Sequence, residues 1–331
     1  MTRSKQSKHC ILLIGLWINR NWILGNWIKE IATRHPEEAQ IHWIASVFSG
    51  KKWWEKLVRF PIPEYGAYFF SYPSIFETYI KTNEAKYKNK SIVNYTHNMD
   101  ELGSLKHQAQ VLNKAYSVHF NCSRDAEKLI LNGLNERKVR IVYGAVDDDC
   151  KLVPGIEREP KSILLASKFG PRKGLEILPD LISELTDWKF LILGRGWQKF
   201  LKKSGLSEKP NLEYHHFDKK SRNVLMSRAS VFLSLSNLEG GPIPLLESIQ
   251  MGLIPIATDT GFARDFISNQ RNGFLLSNPP TTREVRSAII SSAKIKNISN
   301  DSVKHLNWDR LANIVMSDAR TIMTKIKGEL P

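Results

Sequence analysis

The stretch VFLSLSNLEGGPIPLLESIQMGLIPIATDTG, residues 231–261, decides how this chain folds. It opens as a short apolar run, breaks at two glycines and a proline, resumes as an apolar segment of helix length, and ends in a second short apolar run, IPIATD (254–259). Strand, Gly-bearing turn, helix, strand is the repeating unit of a parallel sheet covered by helices on both faces. Pro242 and Pro244 suit the first turn of that helix, where no intrahelical N–H is needed and the fixed φ is already helical. Gly240 and Gly241 therefore sit at the carboxyl end of a strand and just ahead of a helix N-terminus, where doubly wound sheets bind ligands. Glycines there let backbone amides approach closely, and the free N–H groups favour an anion such as phosphate. Glu247, about one and a half turns into the helix, can reach a hydroxyl-rich group beside that phosphate, as an acidic residue holds ribose in dinucleotide folds. Glu239 is left for a second polyol. An isolated pair of glutamates at this spacing is more often plain surface. The unbroken continuation into a strand and a second Gly-bearing loop at 259–261 favours a site.

Working outward, the same alternation runs along nearly the whole chain. Strand-like runs occupy 11–17, 41–47, 67–71, 91–96, 118–122 and 139–143, with helical patterns at 21–34, 104–115 and 124–133. The segment DDDCKLVPGIEREP (147–160) is charged and carries two prolines and a glycine, which breaks the periodicity. It divides the chain into a first domain at 1–150, a second at 151–302, and a final helical stretch at 303–331 free to pack on either. Beyond the break come SILLAS, a helix from about residue 173, WKFLILG, a helix from about 197, LEYHHF, a helix from about 219, the opening stretch, a helix near 262–270 and FLLS. The fold class is α/β, doubly wound.

Composition bounds the partners. With 331 residues, 42% of them hydrophobic, the chain can bury two cores, and its net charge of +15 draws anions to some surface. The longest early apolar run, ILLIGLWI (11–18), is too short to span a bilayer, and no small-residue cleavage site follows it. Cys10, Cys122 and Cys150 are few, odd in number and not at metal-ligand spacing, which fits a reducing, cytoplasmic setting. Asp147–Asp149 reads as a solvated charge run, and no essential metal is expected. Lysines and arginines are spread over both halves, which argues against nucleic acid as a partner. Trp17 and Trp43, on strand-like runs, read as core residues. KKWWEKLVRF (51–60) differs: adjacent tryptophans among four basic residues suit an anionic membrane surface, or an acceptor loop whose rings stack on sugars.

Four segments in order resemble the donor-binding domain of retaining glycosyltransferases of glycosyltransferase family 4, which have the GT-B fold. EGGPIPLLE (239–247) resembles that family's E-G-x-[GP]-x-x-[LN]-x-E segment, and MGLIPIATDTG (251–261) its usual continuation. SKFGPRKGLEIL (167–178) is similar to its G-R-x-x-x-x-K-G segment, with Lys168 standing where arginine is usual, and FLILGRGW (190–197) to its strand ending in Gly-x-Gly. In the first half, YTHN (95–98) places His97 where relatives have a histidine, and YGAVD (143–147) resembles the close of their acceptor domain. The tandem glycine loop after their first strand is absent, and GLWINRNW (15–22) stands in its place.

The resemblance implies two doubly wound Rossmann-like domains facing each other across a cleft, the first for acceptor and the second for donor. It implies a pyrophosphate clamp of Lys168, Arg172 and Lys173, with Gly194, Arg195 and Gly196 near the base. Glu239, Gly240, Gly241, Pro242 and Ile243 would hold the donor sugar and phosphate, and Glu247 the ribose. His97, Lys168, Lys173 and Glu239 would be the catalytic residues; Asn19, Trp22 and Asn98 would meet the acceptor. The implied reaction is a metal-independent, front-face transfer with retention, from a UDP- or GDP-sugar to a glycan or glycolipid. It uses no cofactor, the nucleotide sugar being a substrate, and proceeds in the cytoplasm or on the inner membrane face. A catalytically silent sugar-nucleotide-binding relative and a basic nucleic-acid-binding protein are the alternatives.

Overall fold

The computed structural model describes residues 8–21, 23–44, 62–97, 102–295 and 298–328, with side chains described as far as residue 326. The chain forms two compact units, one from residues 1–145 together with 307–331, the other from 146–306.

In the first unit, β1 (Ile11–Leu16), α1 (Ile23–Arg34), β2 (Ala39–Ile44), β3 (Ala67–Phe70), α2 (Pro73–Thr82), α3 (Glu84–Tyr87), β4 (Ser91–Tyr95), α4 (Leu105–Leu112), β5 (Ser117–Phe120), α5 (Ser123–Leu131) and β6 (Val139–Ile141) follow in order. The strands pair in parallel as β2-β1-β3-β4-β5-β6, so the order reverses between β1 and β3. Every residue of β1 is buried, as a strand covered on both faces requires. Leu12 and Ile14 enter one core with Tyr68, Phe70 and Val93; Ile11 and Leu13 enter the other with Phe69, Ile28 and Ile31. That is the two-residue alternation of a strand feeding two helical layers.

The second unit runs β7 (Ser162–Ala166), α6 (Leu178–Glu184), β8 (Lys189–Leu193), α7 (Gln198–Lys203), β9 (Leu212–His215), α8 (Lys219–Arg228), β10 (Val231–Ser234), α9 (Ile243–Gln250), β11 (Ile254–Thr258), α10 (Ala263–Phe266), β12 (Phe274–Leu276) and α11 (Thr282–Ser292). Its sheet is also parallel, ordered β12-β11-β10-β7-β8-β9, with the reversal between β7 and β10. The last helix, α12 (Trp308–Gly328), belongs to the first unit, where Leu311, Val315, Ala319 and Ile322 join the core that holds Ile11 and Phe69.

Local chemistry explains where elements differ from the sequence reading. No α-helix begins at 173. Two 3₁₀ turns, Pro171–Lys173 and Leu175–Ile177, are separated by Gly174 in the left-handed region, and α6 starts only at Leu178. Helix α11, absent from that reading, is capped by Thr281, whose hydroxyl accepts the Glu284 N–H at 3.2 Å. The first strand ends at Leu16, and Trp17 lies in a 3₁₀ turn with 49% of its surface exposed, not in the core. Trp43 is half-buried, packed where a side chain at Gly15 would otherwise sit. The acidic run is exposed at Asp148 and Asp149, and Asp147 and Asp149 are both ion-paired as well. Among the described residues no helix is long and apolar enough to cross a membrane. The segment 51–60 lies outside them.

Candidate functional site

In the second unit the loops after β7 and β10 meet where the strand order reverses, the crevice of a doubly wound sheet. Gly174 makes their approach possible. At φ +59° it occupies backbone space that L side chains rarely adopt, and a Cβ there would lie 2.0 Å from the Leu235 carbonyl oxygen. The Asn237 N–H donates to the Arg172 carbonyl at 2.8 Å, so the two loops are joined by backbone as well. Across this junction the Lys173 ammonium donates to the Glu239 carboxylate, both side chains being largely shielded from water. Lys168 and Arg172 are exposed in the same loop.

A third loop, after β11, supports the second. The Glu239 N–H donates to Thr260 Oγ1 at 3.0 Å, and the Thr258 hydroxyl donates to the Ser236 carbonyl. Gly241 faces the Phe262 ring, whose nearest carbon would sit 2.5 Å from any Cβ. Gly240 is buried, and Pro242 leads into Ile243, the first residue of α9, with no side chain capping that N-terminus. Its amides remain available to an anion.

Glu247 lies one turn inside α9 and is 6% exposed. Its Oε1 accepts from Arg222 on α8 at 2.7 Å; Arg222 is itself 2% exposed and also reaches Asp147 at 3.3 Å and Asp149. Lys219 Nζ lies 2.8 Å from Asp149 and 3.3 Å from Asp147. Three carboxylates thus share two cations. Burial pushes the Glu247 carboxyl up to about 7, the two aspartates adding to the rise and Arg222 opposing it. Asp149, more exposed, is held below the usual carboxylate range by Lys219 and Arg222 against a desolvation that acts the other way. The opening stretch therefore splits: Glu239 belongs to the Lys173 pair and Glu247 to the Arg222 cluster.

Gly194, Arg195 and Gly196 follow β8, beside the β7 loop. The Phe169 N–H donates to the Arg195 carbonyl at 2.9 Å, and Trp197 Nε1 donates to the Ser167 carbonyl at 2.7 Å. Phe169, Trp197 and Phe200 form one ring cluster, leaving Arg195 and Gly196 exposed beside it.

In the first unit, Asn19 follows β1 at that sheet's own reversal point, and its Nδ2 donates to the Tyr72 hydroxyl at 2.6 Å. His97 follows β4, half-buried, near Asp125, whose carboxyl burial pushes up against the opposing pull of Lys128 and Arg124. Trp22 and Asn98 lie outside the described residues.

Sequence reasoning missed Arg222, Asp147, Asp149 and Thr260. Arg222 left one trace: it stands on α8 at three- and four-residue spacing from the buried Leu225 and Met226, and an arginine on an apolar stripe needs a buried acid. Among the described residues no group of three or more His, Cys, Asp or Glu side chains gathers as for a metal ion, and the three cysteines are buried and in no disulfide. Three exposed or half-buried cations, an uncapped helix N-terminus and two shielded carboxylates suit a ligand that joins a diphosphate to hydroxyl-bearing rings.

Two parallel α/β units of this topology define the GT-B architecture. Residues 149–303 match the family model described as glycosyl transferases group 1. Two curated relatives are named GDP-mannose:cellobiosyl-diphosphopolyprenol alpha-mannosyltransferase, from Xanthomonas campestris and Xanthomonas oryzae pv. oryzae. Each is 26% identical over 156 residues, spanning 44% of this chain and 41% of the relative. The match thus takes in well under half the length of those relatives. Among solved structures, sucrose-phosphate synthase from Thermosynechococcus elongatus superposes with a TM-score of 0.74 at 14% identity, over 96% of this chain and 100% of that one. Anabaena HepE in complex with UDP and glucose gives 0.68 at 15%, over 97% and 100%. The lipopolysaccharide outer core galactosyltransferase WaaB gives 0.68 at 17%, over 94% and 99%. These likenesses show the fold.

Proposed function

We propose that the protein transfers a sugar from a nucleoside-diphosphate sugar to a glycan or lipid-linked acceptor, with retention at the anomeric carbon and without a metal or resident cofactor. One observation carries this reading: the β7 and β10 loops bring Lys173 against Glu239 at the threshold of an uncapped helix that holds Glu247. The ion pair is a reserved place for the donor. When the diphosphate arrives, Lys173 exchanges Glu239 for phosphate oxygens, and Glu239 is released toward the sugar hydroxyls. Arg222 holds Glu247 Oε1, which leaves Oε2 to accept from the ribose.

In the reaction, the bond from the anomeric carbon to the diphosphate oxygen breaks and the acceptor oxygen bonds to that carbon on the same face. The acceptor proton passes to the departing phosphate oxygen. Lys168, Arg172 and Lys173 neutralise the charge that grows there, where preorganised cations act most strongly. His97 is assigned to the donor sugar, and Asn19, Trp22 and Asn98 to the acceptor. The GDP-mannose named for the curated relatives and the UDP bound in HepE support a UDP or GDP donor. The cytoplasmic setting and membrane contact through 51–60 belong to the same proposal.

Calorimetric titration with UDP and GDP tests it. One nucleotide should bind, and Glu247→Ala should weaken it at least about tenfold, the loss of one charge-assisted hydrogen bond. Lys173→Ala should weaken the diphosphate more than the monophosphate. Equal affinity of wild type and Glu247→Ala would sink the ribose assignment.

A further inference from the structure

The donor loops use few of the chain's surplus cations, and a second positive feature stands apart from them. A cavity of about 540 Å³ opens in the first unit at the amino ends of β4, β5 and β6, the edge opposite Asn19 and His97. Lys88, Lys90, Arg137, Lys138, Arg140 and Lys325 line it, and among the described residues no carboxylate does. Tyr116, Ile322 and Ile326 supply an apolar wall, and Lys325 lies 5.3 Å over the Tyr116 ring.

A basic patch is ordinarily a solvated face, its charges apart and paired with nearby acids. This one is concave, within the size range of small-molecule sites, about 300–1,000 Å³. Two of its six cations, Lys88 and Arg140, are paired with acids that lie behind the lining. Glu84 takes both Lys88 and Lys114, and buried Asp318 takes His119, the Ser117 hydroxyl and one side of Arg140. Among the described residues the Lys90 and Arg137 side chains make no hydrogen bond or ion pair. Lys138 is fixed by its bonds to the Ala115 carbonyl and to Asn89 Oδ1. Burial, with Lys88 as second cause, depresses the Lys138 ammonium below its ordinary value, as expected of a cation in positive surroundings.

We propose that this cavity binds a compact polyanion carrying two or more phosphate groups. A single phosphate bears about −1.5 to −2 charges at pH 7 and would leave most of the cluster unneutralised. Clustered phosphates match the four cations that have no carboxylate partner among the described residues, Lys90, Arg137, Lys138 and Lys325, and the guanidinium of Arg137 offers one of them a bidentate fork. The phosphates come either on a soluble oligophosphate or on a phosphorylated lipid headgroup; the chemistry recognised is the same.

The test is calorimetric titration of the full chain with inorganic triphosphate, read in three variants. Lys173→Ala weakens only triphosphate held by the donor loop and should leave intact the binding that Lys90→Ala/Arg137→Ala removes. Lys90→Ala/Arg137→Ala should weaken it at least tenfold while circular dichroism stays unchanged, because neither side chain holds the fold. Lys199→Ala/Lys202→Ala, which removes two exposed lysines from α7, should have no effect. Loss in Lys173→Ala alone, or equal weakening in both double variants, would overturn the proposal, as would no binding at low salt. Phosphatidylcholine vesicles doped with phosphatidylinositol bisphosphate, or with an equal charge of phosphatidylglycerol, separate the sources. Preference for the bisphosphate lipid, lost in Lys90→Ala/Arg137→Ala, supports the lipid source; triphosphate binding without vesicle binding supports the soluble one. Equal binding to both vesicles that survives the double variant, with no triphosphate binding, refutes the site.

Discussion

Glu247 should titrate near pH 7, far from an ordinary glutamate, and the charges around it dictate how each neighbour moves that midpoint. Asp147, Asp149 and Glu247 share Arg222 and Lys219, so one carboxylate is in excess, and the excess falls on the one with least access to water. The carboxyl rises from 4.5 to about 7. A folded-state value raised above the unfolded one favours folding fully below about pH 4.5, and that contribution is lost as pH rises through 7. At 1.36 kcal/mol per unit, the second unit loses up to about 3 kcal/mol over this window. Glu247→Gln, which keeps the shape and removes the titration, should gain stability relative to wild type by that amount between pH 4.5 and 8. The assay is NMR of protein carrying carbon-labelled glutamate carboxyls, with Glu247→Gln identifying the resonance. Asp149→Asn should lower the midpoint by removing a repelling acid. Arg222→Met should raise it by two or three units, since a contact of this kind is worth about 4 kcal/mol at an effective dielectric of 20. With its midpoint carried to about 9 or 10, Glu247 stays neutral at pH 8 in this variant, so the cost of an unpaired buried carboxylate, about 3–5 kcal/mol, is felt only as pH approaches that midpoint. A Glu247 midpoint at or below 4.5, or an upward move in Asp149→Asn, would refute the charge count on which all this rests.

Gly174→Ala must push the β7 and β10 loops apart, because its Cβ would enter the Leu235 carbonyl and its φ is left-handed. We expect at least about tenfold weaker nucleotide binding with an unchanged circular dichroism spectrum; unchanged affinity would show that the junction is not part of the site. Asp318 is held below its ordinary value by His119, Ser117 and Arg140, although burial acts the other way. It therefore contributes stability above its unfolded value that fades as pH falls. Asp318→Ala should destabilise the first unit by about 3–5 kcal/mol at pH 7, and thermal melts of variant and wild type should converge below about pH 4.

The fold class was legible because the strands of a parallel sheet are buried on both faces and read as unbroken apolar runs: ILLIGL and KFLIL have few counterfeits. Where local signals were subtler, reading failed. The Thr281 N-cap announces α11, yet no apolar run flags it; Trp17 is apolar but follows the strand's end. The site was legible as loops and invisible as a network. Glycines and prolines mark backbone geometry locally, so the loops after β7 and β10 stand out. That those strands are neighbours, and that Arg222 from another helix takes Glu247, depend on pairings between residues far apart in sequence. Glu239 and Glu247 look like partners on paper only because eight positions separate them.

Helix α12 is made after the whole of the second unit, yet it lies against strands made before it. The order of synthesis therefore inverts the order of completion. Residues 146–306 can close as soon as they leave the ribosome, while the face of Ile11, Leu13, Ala67 and Phe69 has only α1 to cover it until the chain returns. During that interval the earlier unit is the vulnerable one, prone to capture by chaperones or by other nascent chains. A stall or nonsense mutation shortly past residue 306 would spare the β7 and β10 loops and strand the unit that was started first.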